Sequence, residues 1–127
     1  MVSVEIHQIA DEELDSFVNF PFELYKNDPY WVGELKADTK KVLRLNSVFW
    51  TKNERALFMA YQGGKAVGRI AAILNKEHNE YHHENIGFFG FFDVINDGAV
   101  SAALFQAAED WLRAKGVTAV RGPANPD

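Results

Sequence analysis

The sequence predicts an α/β fold, with a mixed, mostly antiparallel sheet flanked by helices. Two stretches carry that prediction. From Ile86 to Val120 an apolar strand, a polar turn, an amphipathic helix and a short second strand succeed one another. This is the order of a βαβ unit, whose strands lie parallel. Upstream, residues 56–62 and 65–74 flank Gly63-Gly64, a turn suited to the positive φ angles of a tight hairpin.

The elements follow in chain order. Val2, Val4 and Ile6 alternate with Ser3, Glu5 and His7, the period of a half-buried strand. Asp11 offers an N-cap to a helix carrying Leu14, Phe17 and Val18, which Pro21 is expected to end or kink. The aromatic stretch Phe20–Val32, interrupted by Pro21 and Pro29, predicts a helical turn and then an irregular loop. There Tyr30 and Trp31 either cover a site or anchor the loop. Residues 34–46 predict a helix with Leu35, Val42 and Leu45 inward and Lys36, Lys40, Lys41 and Arg44 outward. Residues 75–85 read as a polar loop, and with no cysteine in the chain, its His78, His82 and His83 fit capping or solvated roles better than a metal site. The strand Ile86–Val94 is apolar on both faces, with Gly90 as a candidate bulge. Asn96 or Asp97 caps the next helix, whose Val100, Ala103, Leu104, Ala107, Ala108, Trp111 and Leu112 form one stripe. Gly116 stops it, and Val117–Val120 reads as the returning strand.

At 127 residues and 47% hydrophobic content the chain suffices for one core. Eighteen acidic against thirteen basic residues give a net charge of −5, which argues against a nucleic-acid or anionic-membrane partner. The absence of cysteine excludes disulfides and thiolate chemistry. The N-terminus lacks a signal pattern and no stretch approaches the ~20 apolar residues of a membrane span, so a soluble, cytoplasmic protein is expected.

In its order of elements, and in Asp28-Pro29-Tyr30-Trp31-Val32, Gly68-Arg69-Ile70-Ala71-Ala72, His78-Asn79, Gly87-Phe88-Phe89-Gly90-Phe91-Phe92, Ala108-Glu109-Asp110-Trp111-Leu112 and Arg121-Gly122-Pro123-Ala124-Asn125, the sequence resembles the GNAT (Gcn5-related N-acetyltransferase) superfamily. More narrowly, it is similar to the N-terminal portion of a group of longer bacterial GNAT-like proteins. The resemblance implies a single GNAT-like domain over residues 1–127, C-terminally incomplete because it lacks the last helix and strands of the full fold. It implies transfer of an acetyl or other acyl group from acetyl-CoA or another acyl-CoA to an amine, with no metal. Phe91, Phe92 and Val94 would hold the pantetheine arm and polarise the thioester through their backbone. Asn96, Asp97, Gly98, Ala99, Val100 and Ser101 would hold the pyrophosphate at a helix N-terminus. The family pattern there is Arg or Gln followed by glycines at the fourth and sixth places; Asn96, Ala99 and Ser101 stand instead, and Asp97 adds a negative charge. The general base would be Asp93, leaving the strand, or Glu84, entering it, with Asp93 nearer the thioester. Two alternatives accompany this reading: a non-catalytic GNAT-like binding or packing module with a degenerate CoA site, and a half that pairs through its fifth strand with a missing C-terminal section or with a second copy as a homodimer.

Overall fold

The computed structural model describes residues 3–123; Val2, Ala124 and Asn125 lie outside the described residues. The strands are β1 (Glu5–Gln8), β2 (Glu54–Gln62), β3 (Lys65–Leu74), β4 (Ile86–Val94) and β5 (Ala119–Arg121), and they form one sheet in the order β1-β2-β3-β4-β5. β1 to β4 pair antiparallel, and β5 returns parallel to β4. The helices are α1 (Leu14–Leu24), α2 (Lys36–Leu43), α3 (Lys76–His82) and α4 (Gly98–Ala114), with 3₁₀ turns at Asp11–Glu13 and Val48–Thr51. Gly63 and Gly64 both take positive φ at the hairpin, as a two-residue turn requires.

The sheet is covered on both faces. On one, Phe17 and Val18 of α1 and Leu43 of α2 pack over Leu57, Met59 and Ala71. On the other, Val100, Leu104, Ala108 and Leu112, spaced by one helical turn along α4, pack over Ala60, Ile70 and Ala72. A Cβ on Gly68 would come within 2.5 Å of Leu104, and one on Gly87 within 2.6 Å of Leu112. Glycine at these two strand positions makes the seats into which the helix stripe presses.

Four expectations change. Pro21 does not end α1, which runs on to Leu24. A proline has no N–H, so the carbonyl of Phe17, four residues earlier, loses its helical donor; Arg69 Nη1 supplies one at 2.9 Å. Asp11 does not cap α1: its carboxylate accepts from Arg55 Nη2 at 2.7 Å, and Arg55 also donates to the carbonyl of Leu43 at the end of α2. In α2 the buried residues are Thr39 and Leu43, whereas Leu35 is 72% and Leu45 51% exposed. The helix is too short to carry the longer stripe, and the chain is already extended at Arg44. Finally, the polar loop contains α3. Asn75 accepts from His78 N–H as its N-cap, and His83 closes it in the left-handed conformation, so capping makes a helix that apolar periodicity does not announce.

Candidate acyl-transfer site

The site begins with an irregularity in β4. Arg69 pairs with Asp93 and Ala71 with Gly90, so Phe91 and Phe92 together oppose Ile70. The extra residue is a β-bulge. It lies one position beyond Gly90, which pairs regularly, and Phe91 takes φ 48°. A left-handed phenylalanine costs roughly 1–3 kcal/mol and persists only where packing fixes it. Here Phe91 is buried, with its ring 6.4 Å from that of Phe17.

Beside the bulge is a cavity of about 280 Å³, lined by Val18, Pro21 and Phe22 of α1, the loop Trp31–Glu34, Thr39, Arg69, Phe91, Phe92, Asp93 and Pro123. Arg69 organises its floor. Its guanidinium is buried, donates to Asp93 from Nε and Nη2 at 2.9 Å each, and lies 4.9 Å from the Phe17 ring. Burial lowers the Arg69 pKa, and the Asp93 charge opposes that shift. The other Asp93 oxygen accepts from Tyr25 Oη at 2.9 Å. Burial, followed by the hydrogen bond to Asp93, pushes the Tyr25 phenol up to about 12. Tyr25 in turn stacks on Trp31, which meets Phe22 edge-on. Trp31 therefore anchors its loop while lining the cavity, whereas Tyr30 is 91% exposed.

Of the two carboxylates expected as bases, Asp93 is in the cavity wall and Glu84 is not. Glu84 precedes the opposite end of β4, about 30 Å away along an extended strand, where it meets Arg121 at 3.2 Å and His78 at 3.8 Å. Phe91 and Phe92 line the cavity, and Val94 packs toward α4. β5 pairs with β4 only from Ile86 to Phe88. β5 itself ends at Arg121, so among the described residues Phe89–Val94 has no β5 partner. At the exit a Cβ on Gly122 would stand 2.6 Å from the Phe89 carbonyl oxygen.

Asn96 precedes the cap, and α4 begins at Gly98 with Asp97 as its N-cap. The Asp97 carboxylate accepts from Ala99 N–H at 2.9 Å, so it occupies part of the amide array that would face a pyrophosphate. Val100 is fully buried and Ser101 partly so. Among the described residues there is no group of three His, Cys, Asp or Glu that could hold a metal ion, and no helix is long and apolar enough to cross a membrane. Arg69 and Tyr25 are not evident as site residues from the sequence. The usable signals are an arginine inside the apolar run of β3 and a proline that strands a helix carbonyl.

Solved structures share this architecture. A tandem GNAT protein from the clavulanic acid biosynthesis pathway aligns over 98% of this chain and 40% of its own, with TM-score 0.69 and 16% identity. An aminoglycoside acetyltransferase from an uncultured soil metagenomic sample aligns over 96% and 78%, with TM-score 0.65 and 16% identity. The chain has the GNAT fold. An aminoglycoside N-acetyltransferase in complex with CoA also aligns, over 99% of this chain and 80% of its own, with TM-score 0.63 and 18% identity. No protein-family model matches the chain. Among curated proteins, it is 34% identical over 116 residues to Protein YghO of Escherichia coli K12, covering 87% of this chain and 28% of that protein. It is 37% identical over 115 residues to the bacterial ceramide synthase of Caulobacter vibrioides, covering 89% and 30%. The GNAT-fold chain thus spans less than a third of the length of either curated relative.

Proposed function

We propose that this chain forms part of an acyl-CoA-dependent N-acyltransferase whose acceptor is a long-chain amine. The observation that carries this reading is the bulge at Phe91-Phe92, which lies beside a cavity walled by Arg69 and Asp93. The bulged backbone suits the thioester arm of an acyl-CoA, and the cavity suits the acceptor. The wall also carries Glu34, so two carboxylates face one guanidinium, a balance favourable to a protonated amine. The ammonium first loses one proton to water, the neutral amine nitrogen then attacks the thioester carbonyl carbon, the C–N bond forms, and the C–S bond breaks as CoA thiolate leaves. Asp93 accepts the proton that the nitrogen sheds, held in place for this by Arg69 and Tyr25. Glu84 takes no part in this scheme. A ceramide is an N-acylated long-chain amino alcohol, so the likeness to a ceramide synthase supports this acceptor class.

The test is thiol release from palmitoyl-CoA with and without a sphingoid base, with acetyl-CoA and an aminoglycoside as comparison substrates. Amine-dependent release that is lost in Asp93→Asn is expected; release with neither amine by a folded sample would sink the reading. One observation favours the non-catalytic alternative: the Asp97 carboxylate already occupies the start of α4. Calorimetric titration with desulfo-CoA separates the two, because a packing module does not bind it.

A further inference from the structure

We propose that the face formed by α2 and the Val48–Thr51 turn docks on an anionic lipid surface. The net charge of −5 conceals a segregation: between Lys36 and Lys52 there are five cations and one anion, Asp38. Lys40 pairs with Asp15 and Lys36 lies over the Phe22 ring. Although Arg44 also lines a smaller pocket with Asp11, Glu12 and Asp15, Lys41 and Arg44 make no ion pair within 4 Å among the described residues and both are exposed. Together with Val48 they line an open groove of about 920 Å³. Val48, in that lining, is 84% exposed, and Leu35 and Leu45, which flank α2 in the chain, are 72% and 51% exposed.

Exposed aliphatic side chains set among unpaired cations match a membrane interface, where the former enter the acyl boundary and the latter meet anionic headgroups. A nucleic acid would use the cations but leave Leu35, Leu45 and Val48 in water. Val32, in the loop that precedes α2, lines the cavity and is 90% exposed. The proposal goes beyond acyl transfer and is read without turnover.

The experiment is sedimentation of the chain with vesicles of phosphatidylglycerol and phosphatidylcholine, and with phosphatidylcholine alone, at ~0.15 M salt. Partition onto the anionic vesicles only is expected. Lys41→Gln/Arg44→Gln weakens it about thirtyfold, from two lost headgroup attractions, and Val48→Ser weakens it about tenfold without changing charge. Circular dichroism melting shows that each variant is folded. Equal partition onto both vesicle types, no partition by the folded chain, or no effect of Lys41→Gln/Arg44→Gln overturns the proposal. The second of these outcomes would leave the face to protein beyond residues 1–127.

Discussion

Replacing Asp93 with alanine removes the counter-charge of a guanidinium whose side chain is only 8% exposed, while Asp93 itself is 20% exposed. Arg69 would then keep the Phe17 carbonyl as its remaining partner. Removing one member of a buried pair strands the other without water or counter-charge and typically costs about 3–5 kcal/mol. For a chain of 127 residues, the unfolding entropy of about 2.1 cal/mol/K per residue corresponds to roughly 0.27 kcal/mol per degree. The expected drop in melting temperature is therefore about 11–19 °C. Arg69→Met/Asp93→Leu removes both charges and leaves the Phe17 carbonyl as the principal unsatisfied group, a cost of about 1–3 kcal/mol. The double variant should thus melt above Asp93→Ala. Differential scanning calorimetry at neutral pH reads both. An Asp93→Ala protein melting within about 3 °C of the parent, or a double variant whose loss equals the sum of its single changes, would refute the claim that this pair is an interior one.

Three further outcomes are expected. Tyr25 is raised from 10.0 to about 12 in the folded chain, so between those pH values the native state retains a proton that the unfolded state releases. The stability it contributes is fully present below pH 10 and lost as pH rises through 12. Urea midpoints should accordingly fall across that window, less steeply in Tyr25→Phe; parallel profiles would show that the phenol is not coupled to folding. Asp97→Ser keeps a capping oxygen but removes the charge at the start of α4, and should tighten desulfo-CoA binding about fivefold. Ser101→Glu should abolish that binding without lowering the melting temperature, and unchanged affinity in both variants would place the nucleotide elsewhere. Gly87→Ala drives a methyl into Leu112, which is fully buried, and should cost about 1–3 kcal/mol in urea titration; a neutral effect would mean that α4 shifts freely on the sheet.

What was legible in the sequence is what repeats locally. β3 and β4 span the same residues that composition and turn signals delimit, and α4 buries Val100, Leu104, Ala108 and Leu112 from within the anticipated stripe. What was not legible depends on residues far apart in the chain. Whether Pro21 breaks a helix is decided by Arg69, 52 residues from Phe17. Whether Asp11 caps one is decided by Arg55, 44 residues away. Asp93 stands out as a carboxylate at a strand end, but its partner Tyr25 is 68 residues distant, and no periodicity connects them. The orientation of α2 differs for another reason: Leu35 and Leu45 read as core by residue type, yet both are exposed where they flank the short helix.

The bulge joins fold and site in one step. Gly90 pairs with Ala71, which belongs to the core beneath α1. In a regular strand side chains alternate, so Phe91 and Asp93 would both turn toward α4, where Val100 and Leu104 offer a carboxylate no partner. One inserted residue reverses the alternation. Phe91 and Asp93 then face α1, where the first packs near Phe17 and the second meets Arg69 and Tyr25. The guanidinium that holds Asp93 is also the donor that Phe17 needs because residue 21 is a proline. The strained φ at Phe91, the proline inside α1 and the buried arginine are therefore one device. Relaxing any of the three would turn the carboxylate away from the cavity or leave a buried polar group unpaired.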